Sequence, residues 1–331
     1  MTIHHKLMEN NITRSDLDSV KKLFQKKNII LTQNKKVEEF EKKWSQWLGV
    51  RYSTFVNSGS SANFISIAIL KAINRNMRRN EIIVPTLTWV SDINSIIING
   101  FKPIFVDIDF KNLSMNIDKV INAINSKTLA VFITHAQGFN GLNNKLINTL
   151  RKKKIFLIED VCESHGATFK QKKLGSWGNL SNFSFYYAHH LSTIEGGMVC
   201  TNDKSIYEKI RIMRGHGMLR ESTDNNYKKK IAKKYSNLNE KFIFIEPGYN
   251  FRSTELNAVI GINQLKRLDY NNKLRNINHE YFLKNLDKEK YFTDFDLEGS
   301  SNYAFVIIFR KKFQKISFRN RFEDKLSKFG I

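Results

Sequence analysis

Tyr52-Ser53-Thr54-Phe55-Val56 and the residues that follow it, Asn57-Ser58-Gly59-Ser60-Ser61-Ala62-Asn63, write a strand, a turn and a helix start in twelve positions. The first five carry the β-branched and aromatic character of a short strand, and the Ser/Gly run ends it. From about Ser61 to Met77 the apolar residues recur at helical spacing. The same alternation continues outward. Upstream, residues 14–26 and 35–48 read as amphipathic helices, with Trp44, Trp47 and Leu48 on one face of the second. Downstream, Ile82–Val84, Pro103–Asp107, Leu129–Thr134 and Ile155–Ile158 are short β-rich runs. A helix starting near Thr88 and helical patterns near 117–125 and 142–152 separate them. Phe183–Tyr186 and Met198–Thr201 read as two further strands. Strands alternating with helices in this way predict an α/β fold, a mostly parallel sheet covered by helices on both faces.

From about residue 205 the pattern loosens. Arg220 to Glu240 is polar and reads as an excursion or flap, 253–287 as a long helical section, and Tyr303–Phe309 as an alternating strand that opens a smaller α+β unit. The last helical pattern is 317–328, and the chain ends at Gly330-Ile331, so a truncated C-terminal domain is expected. The expected division is a large domain over 1–250, then linking helices and the start of a small domain over 251–331.

The chain has 331 residues, 41% of them hydrophobic, with 16 glycines and three prolines, which excludes wholesale disorder and collagen-like repeats. Two cysteines, Cys162 and Cys200, exclude a disulfide scaffold and a four-cysteine metal site. Lys and Arg outnumber Asp and Glu by 54 to 31, a formal charge of +23. The basic residues are scattered in short runs such as Lys152–Lys154 and Lys228–Lys230, without interleaved aromatics or a nucleic-acid-binding signature. The charge suits an anionic small substrate, and nucleic acid is not an expected partner. Met1 to Asn10 lacks the apolar core of a secretory leader, and no run reaches the roughly 20 apolar residues of a membrane span. A cytoplasmic protein is expected.

Several segments carry chemistry. Asn57–Asn63 offers free N–H groups and hydroxyls at a helix N-terminus, an anion site, or else an ordinary serine cap on a glycine turn. Trp89, after Val84-Pro85-Thr86-Leu87-Thr88, lies where a flat cofactor could stack against it, or is a rim aromatic. Glu159-Asp160 ends an apolar strand. A carboxylate there can hold a metal, a ribose or a protonated ring nitrogen, with Glu163 in reach, or it simply favours a helix N-terminus. Ser184-Phe185-Tyr186-Tyr187-Ala188-His189-His190, followed by Glu195-Gly196-Gly197, puts imidazoles on a loop after a strand. Adjacent histidines seldom face one ion, and no metal-ligand spacing accompanies them, so no metal is expected and acid–base chemistry is. His216 in Arg214-Gly215-His216-Gly217 and the Gly248–Arg252 segment complete the set.

In this order the segments resemble the DegT/DnrJ/EryC1/StrS family of pyridoxal-phosphate-dependent sugar aminotransferases and their dehydratase relatives. The matching pieces are Asn57–Asn63, Val84–Trp89, Val106-Asp107, Glu159-Asp160, Gly175–Gly178, Ser184–Gly197 and Gly248–Gln264, spread over essentially the whole chain. The resemblance implies the aspartate-aminotransferase type of fold, a homodimer, and pyridoxal 5'-phosphate (PLP) alternating with pyridoxamine 5'-phosphate. It also exposes a departure. The family's aminotransferases anchor the cofactor through a lysine after the Ser-Phe strand, and His189 stands at that position here. No lysine occurs between Lys173 and Lys204. Imidazole forms no stable imine, so this chain resembles the family's sugar 3-dehydratases, which share the histidine.

Two dehydratase branches are relevant. One acts on CDP-linked 4-keto-6-deoxyglucose and needs a cysteine-held two-iron two-sulfur cluster, which two cysteines cannot supply. The other acts on GDP-linked 4-keto-6-deoxymannose without a cluster, in dideoxysugar synthesis for surface polysaccharide such as lipopolysaccharide O-antigen. Glu163–Phe169, Ser192–Gly197 and Glu246–Asn250 resemble this second branch. By resemblance, His189 is the base and L-glutamate the amino donor. Asp160 meets the ring nitrogen, Trp89 stacks on the ring and Glu163 lies near its substituents. Gly59, Ser60 and Ser184 bind phosphate, and Asn250 reaches the neighbouring subunit's cofactor phosphate. His216 and Arg220 meet the nucleotide-sugar substrate. The alternatives are the CDP-sugar branch, an atypical nucleotide-sugar aminotransferase, and a non-catalytic PLP or sugar-nucleotide binding protein.

Overall fold

A computed structural model describes residues 10–331. The reading of Met1 to Glu9 as free of a leader lies outside them. Helices α1 (Arg14–Phe24) and α2 (Lys35–Leu48) lead into β1 (Tyr52–Val56) and α3 (Gly59–Ile73). There follow β2 (Glu81–Pro85), α4 (Val90–Ile98), β3 (Lys102–Val106), α5 (Ile117–Ala123), β4 (Thr128–Thr134), α6 (Asn144–Lys153) and β5 (Phe156–Asp160). A ribbon of β6 (Thr168–Phe169) and β7 (Lys172–Lys173) precedes β8 (Leu180–Ser184), β9 (Gly197–Thr201) and α7 (Lys204–Arg214). The last helices are α8 (Asn225–Lys234), α9 (Glu255–Leu265), α10 (Leu268–Asn285) and α11 (Ile316–Lys328).

Seven strands form one sheet in the order β1-β9-β8-β5-β4-β2-β3. Pairing is parallel from β8 to β3, and β9 alone runs against its two neighbours, β1 and β8. The strands β1, β2, β4, β5 and β8 therefore deliver their carboxyl ends to one edge, the edge where open α/β sheets bind ligands. One face packs Phe40 and Trp44 of α2, Leu146 and Leu150 of α6 and Ala258 of α9 against the sheet. The other face is covered by Ile65, Ile69 and Leu70 of α3, Ile96 of α4 and Ile206 and Ile210 of α7. Both faces of the central strands are buried, which is why β4 reads as a continuous apolar run. Each fully buried aromatic such as Phe40 or Trp44 contributes roughly 1.5–3 kcal/mol by leaving water.

The sequence pattern misplaces four elements. Residues after 205 do not loosen at once: α7 spans Lys204–Arg214, capped by the Asp203 carboxylate and buried through Ile206, Ile210 and Met213. The strand expected at Phe183–Tyr186 runs over Leu180–Ser184 instead. Its polar residues hid it, because Ser181 donates to the Gly175 carbonyl at 2.6 Å and Asn182 accepts from Ser66 at 2.6 Å inside the core. The section 253–287 is two helices, parted where Arg267 turns to pair with buried Asp16 at 2.6 Å. Tyr303–Phe309 forms no strand. A strand needs a ladder partner, and this segment makes only an isolated bridge, Tyr291 to Phe309, while Phe305, Val306 and Ile308 pack against Leu113, Phe139 and Phe295. The Arg220–Glu240 excursion carries α8, none of whose residues is buried.

Candidate active site

The turn after β1, the outermost strand of the sheet, reaches across the carboxyl edge to the end of β8. Ser58 caps α3 by accepting from the Ser61 N–H at 3.0 Å, as an ordinary N-cap does. That leaves the N–H groups of Gly59 and Ser60 without a partner in the helix ladder, and Ser60 is exposed. The serine cap of the sequence reading is present, and the two N–H groups beyond it stay open to a ligand. Gly59 packs directly on the end of β8: a Cβ there would sit 2.5 Å from Ser184 Cβ. A Cβ on Gly197 would collide with the Ser58 carbonyl oxygen at 2.3 Å, so the first residue of β9 must be glycine for the turn to descend onto the sheet.

Asp160 ends β5 and is 3% exposed. It accepts from the Cys162 N–H at 2.8 Å and from Asn63 Nδ2 at 3.1 Å, the latter from the same helix α3 that begins at Gly59. Its neighbour Glu159 is structural: it points to the other face and takes N–H groups from Gly175, Trp177 and Gly178 at 2.8, 2.9 and 2.6 Å, anchoring the ribbon loop. Glu163 accepts from the Gln137 N–H at 2.8 Å, and burial together with the charge of Asp160 raises its pKa.

His189 and His190 follow β8 and meet His165, their ring centroids 6.0 and 5.3 Å from it. Burial lowers the pKa of His189 to about 4, against the opposing pull of Asp160. Nδ1 of His189 is buried without a hydrogen-bond partner. His190 is positioned differently. Its Nε2 lies 3.1 and 3.2 Å from the Ser301 and Asn302 carbonyls, and burial lowers its pKa to about 3. Each ring keeps a buried Nδ1 without a partner, and only His190 is also held by backbone carbonyls.

Trp89 stands at the start of α4 with 67% of its surface exposed, a rim aromatic with an open face. Asn250 and His216 form a second group with Arg252, and Arg220 follows four positions after His216. His216 Nε2 is 3.5 Å from Arg252, Arg252 donates to Asn250 at 3.1 Å, and Arg220 lies over the Phe242 ring. This group joins the first through backbone: Arg252 bridges to Val56, and the Asn57 N–H donates to the Phe251 carbonyl at 2.9 Å, beside the Ser58 turn.

Sequence reasoning missed two neighbours of the site. Tyr303 lies 5.3 Å from the His189 ring, and burial with the nearby Glu163 pushes its phenol up to about 12. It comes from the segment misread as a strand, where nothing in the pattern marks it. Asp92, in the first turn of α4, is fully buried beside Asp160. An acid four residues after Thr88, at the exit of a carboxyl-edge strand, was the available signal. Both cysteines are free thiols, and no cluster of three or more His, Cys, Asp or Glu among the described residues is arranged to hold a metal. No helix among them is long and apolar enough to cross a membrane.

This sheet, with its histidine-bearing loop and its serine–glycine turn at the carboxyl edge, is that of the DegT/DnrJ/EryC1/StrS aminotransferase family, and the chain belongs to it: the family model matches residues 10–331. Among its relatives, GDP-4-keto-6-deoxy-D-mannose 3-dehydratase of Yersinia pseudotuberculosis is 33% identical over 270 residues, 80% of this chain and 67% of the relative. GDP-perosamine synthase of Escherichia coli O157:H7 is 31% identical over 233 residues, 70% of this chain and 58% of the relative. The chain thus spans about three fifths to two thirds of the length of these relatives. The solved structure of E. coli GDP-4-keto-6-deoxy-D-mannose-3-dehydratase with bound hydrated PLP superposes with a TM-score of 0.88 at 30% identity, covering 100% of this chain and 85% of that one. A GDP-4-keto-6-deoxymannose-3-dehydratase structure with a trapped PLP-glutamate geminal diamine gives 0.86 at 30% identity, over 99% and 84% of the two chains.

Proposed function

We propose that this chain is a PLP-dependent enzyme that removes the C3 hydroxyl of a nucleotide-linked 4-keto-6-deoxyhexose, with GDP-4-keto-6-deoxymannose as substrate and L-glutamate as amino donor. The observation that carries the reading is His189, with its unengaged Nδ1, at the position where the family's aminotransferases use lysine. The similarity to GDP-4-keto-6-deoxy-D-mannose 3-dehydratases supports the substrate.

The residues of the carboxyl edge fit the cofactor. Two free N–H groups at Gly59 and Ser60 and the Ser184 hydroxyl suit a phosphate, in a cradle that a Cβ on Gly59 would fill. Asp160 suits the protonated ring nitrogen, the open face of Trp89 suits the ring, and Glu163 lies toward its substituents. In a homodimer Asn250 reaches the partner's phosphate group, while His216 and Arg220 meet the nucleotide sugar, the guanidinium of Arg220 against its phosphates. When bound, PLP would supply an amine taken from glutamate and an electron sink for the pair left by proton loss, the pair that expels the C3 oxygen.

The protein's part is to place and move protons. His189 is neutral at pH 7 because burial lowers its pKa to about 4, so it is available as a base. The charge of Asp160 works against burial and steadies the imidazolium once a proton arrives. His189 takes the proton whose loss starts elimination and gives it to the C3 oxygen as water leaves. A lysine at this position would add a competing amine, whereas imidazole adds only a base.

Similarity to a GDP-perosamine synthase favours a second reading, amino transfer to the sugar. The test is to incubate the purified chain with PLP, glutamate and GDP-4-keto-6-deoxymannose and to compare the wild type with His189→Asn. Deoxygenation by the wild type and its loss in the variant are expected. A borohydride-sensitive lysine–cofactor absorbance in the wild type, or deoxygenation at an unchanged rate in His189→Asn, overturns the role of His189.

A further inference from the structure

Behind Asp160 lies a second carboxyl group that the reaction as proposed does not use. Asp92 is fully buried between α4, α3 and the ends of β2, β4 and β5. Its Oδ1 accepts from Asn63 Nδ2 at 2.6 Å. Its Oδ2 meets Thr88 Oγ1 at 2.5 Å and Thr134 Oγ1 at 2.8 Å, and the two threonine oxygens meet each other at 2.7 Å. Three mutual oxygen–oxygen contacts call for three hydrogens, and two hydroxyls carry two. The carboxyl group supplies the third.

Asp160 leads to the same count. The side chains of Asp92 and Asp160 lie close enough for the charge of Asp160 to act on Asp92, and a hydrogen bond between them requires a proton on one of the two. Asn63 Nδ2 bridges both, at 2.6 and 3.1 Å. The buried ion pairs of the described residues join other groups, such as Arg214 with Glu41 and Arg267 with Asp16, so no cation neutralises this pair. Two bare carboxylates in contact in a buried site repel strongly, and one shared proton is the stable state. Asp160 receives a backbone N–H, that of Cys162 at 2.8 Å, and is 3% exposed where Asp92 is 0%, so the proton is placed on Asp92.

We infer that Asp92 is a positioning residue for the cofactor site, a neutral carboxylic acid whose hydrogen bond fixes the Asp160 carboxylate in the orientation that meets the ring nitrogen. This rests on the PLP reading above. The other titratable groups facing the pair are Cys162 and, through Asp160, Glu163 and His189. Burial and the charge of Asp160 raise the pKa of Asp92 well above the ordinary carboxylate range, as a neutral acid requires.

The test uses the full chain and two variants, Asp92→Asn, which keeps a donor, and Asp92→Ala, which removes it. PLP affinity is measured by quenching of protein fluorescence, and stability by denaturant unfolding of the cofactor-free protein across pH. Asp92→Asn is expected to bind PLP within about threefold of wild type. Asp92→Ala is expected to bind about tenfold to a hundredfold more weakly, the loss of one hydrogen bond to a charged group. A raised pKa means that the folded chain holds a proton the unfolded chain has released, so Asp92 makes stability fall as pH rises from about 4 toward its folded value. Asp92→Asn is expected to lack that component. Asp92→Asn binding as weakly as Asp92→Ala, or an unchanged pH dependence of stability in Asp92→Asn, overturns the inference. If the wild type fails to bind PLP, the cofactor reading fails instead, and the stability series still decides the protonation of Asp92.

Discussion

Lowering the pH from 7 to 5 puts the buried histidines under a strain that can be worked out from the structure. His190 holds the carbonyls of Ser301 and Asn302 with Nε2, while its Nδ1 is buried without a partner. Burial and the positive charge of Arg275 disfavour a second proton, which would go to that unpartnered nitrogen, and the pKa falls from 6.5 to about 3. The unfolded chain takes the proton near pH 6.5. Stability from this group is therefore full above pH 6.5 and is lost as pH falls toward 3. At pH 5 the unfolded histidine lies 1.5 pH units below its pKa and the folded one is still neutral, which costs about 2 kcal/mol at 1.36 kcal/mol per unit. Urea unfolding of the wild type and of His190→Gln at pH 7 and pH 5 isolates this term from other titrating groups. The wild type is expected to lose about 2 kcal/mol more than the variant over that interval. Equal losses in the two proteins would show that His190 is not held neutral by its surroundings, and the reasoning about the whole imidazole cluster would fall with it.

Three other substitutions separate structure from site. Glu41→Ala leaves Arg214, 0% exposed and paired with Glu41 at 2.6 Å, as an unmatched buried cation, and denaturant unfolding should register a loss of about 3–5 kcal/mol. Gly197→Ala drives a methyl into the Ser58 carbonyl, so about 1–3 kcal/mol of stability should be lost, and with it PLP affinity, read by equilibrium dialysis. Trp89→Ala removes a side chain that is 67% exposed; its unfolding free energy should stay within about 0.5 kcal/mol of wild type while PLP binding weakens.

The parallel half of the sheet was legible because its strands are buried on both faces and its helices alternate with them at ordinary spacing. Tyr52–Val56 was read with its bounds, and the serine cap was one of the two readings of the next turn, although α3 runs over Gly59–Ile73 and not from about Ser61 to Met77. Legibility ended where polar residues enter the core. Ser181 and Asn182 look like loop residues until their partners, Gly175 and Ser66, are known. Arg214 and Glu41 lie 173 positions apart, and no local pattern announces a buried pair at that separation. The same limit applies to the site. Asp160 and His189 stand at strand ends and could be picked from sequence, but Asp92 reads as a routine helix-start acid and Tyr303 as one aromatic in an alternating run. Their neighbours come from distant segments, and only the folded chain joins them. Conversely, the +23 charge forecast no feature of the site, whose described chemistry is carried by buried acids and neutral imidazoles.

The most direct test of the central claim, that His189 turns an aminotransferase framework to deoxygenation, is mass spectrometry of the sugar made from GDP-4-keto-6-deoxymannose by the purified chain with PLP and glutamate. A keto sugar lacking the C3 oxygen, absent with His189→Asn, is the predicted result. A 4-amino sugar with its C3 hydroxyl intact would contradict the claim.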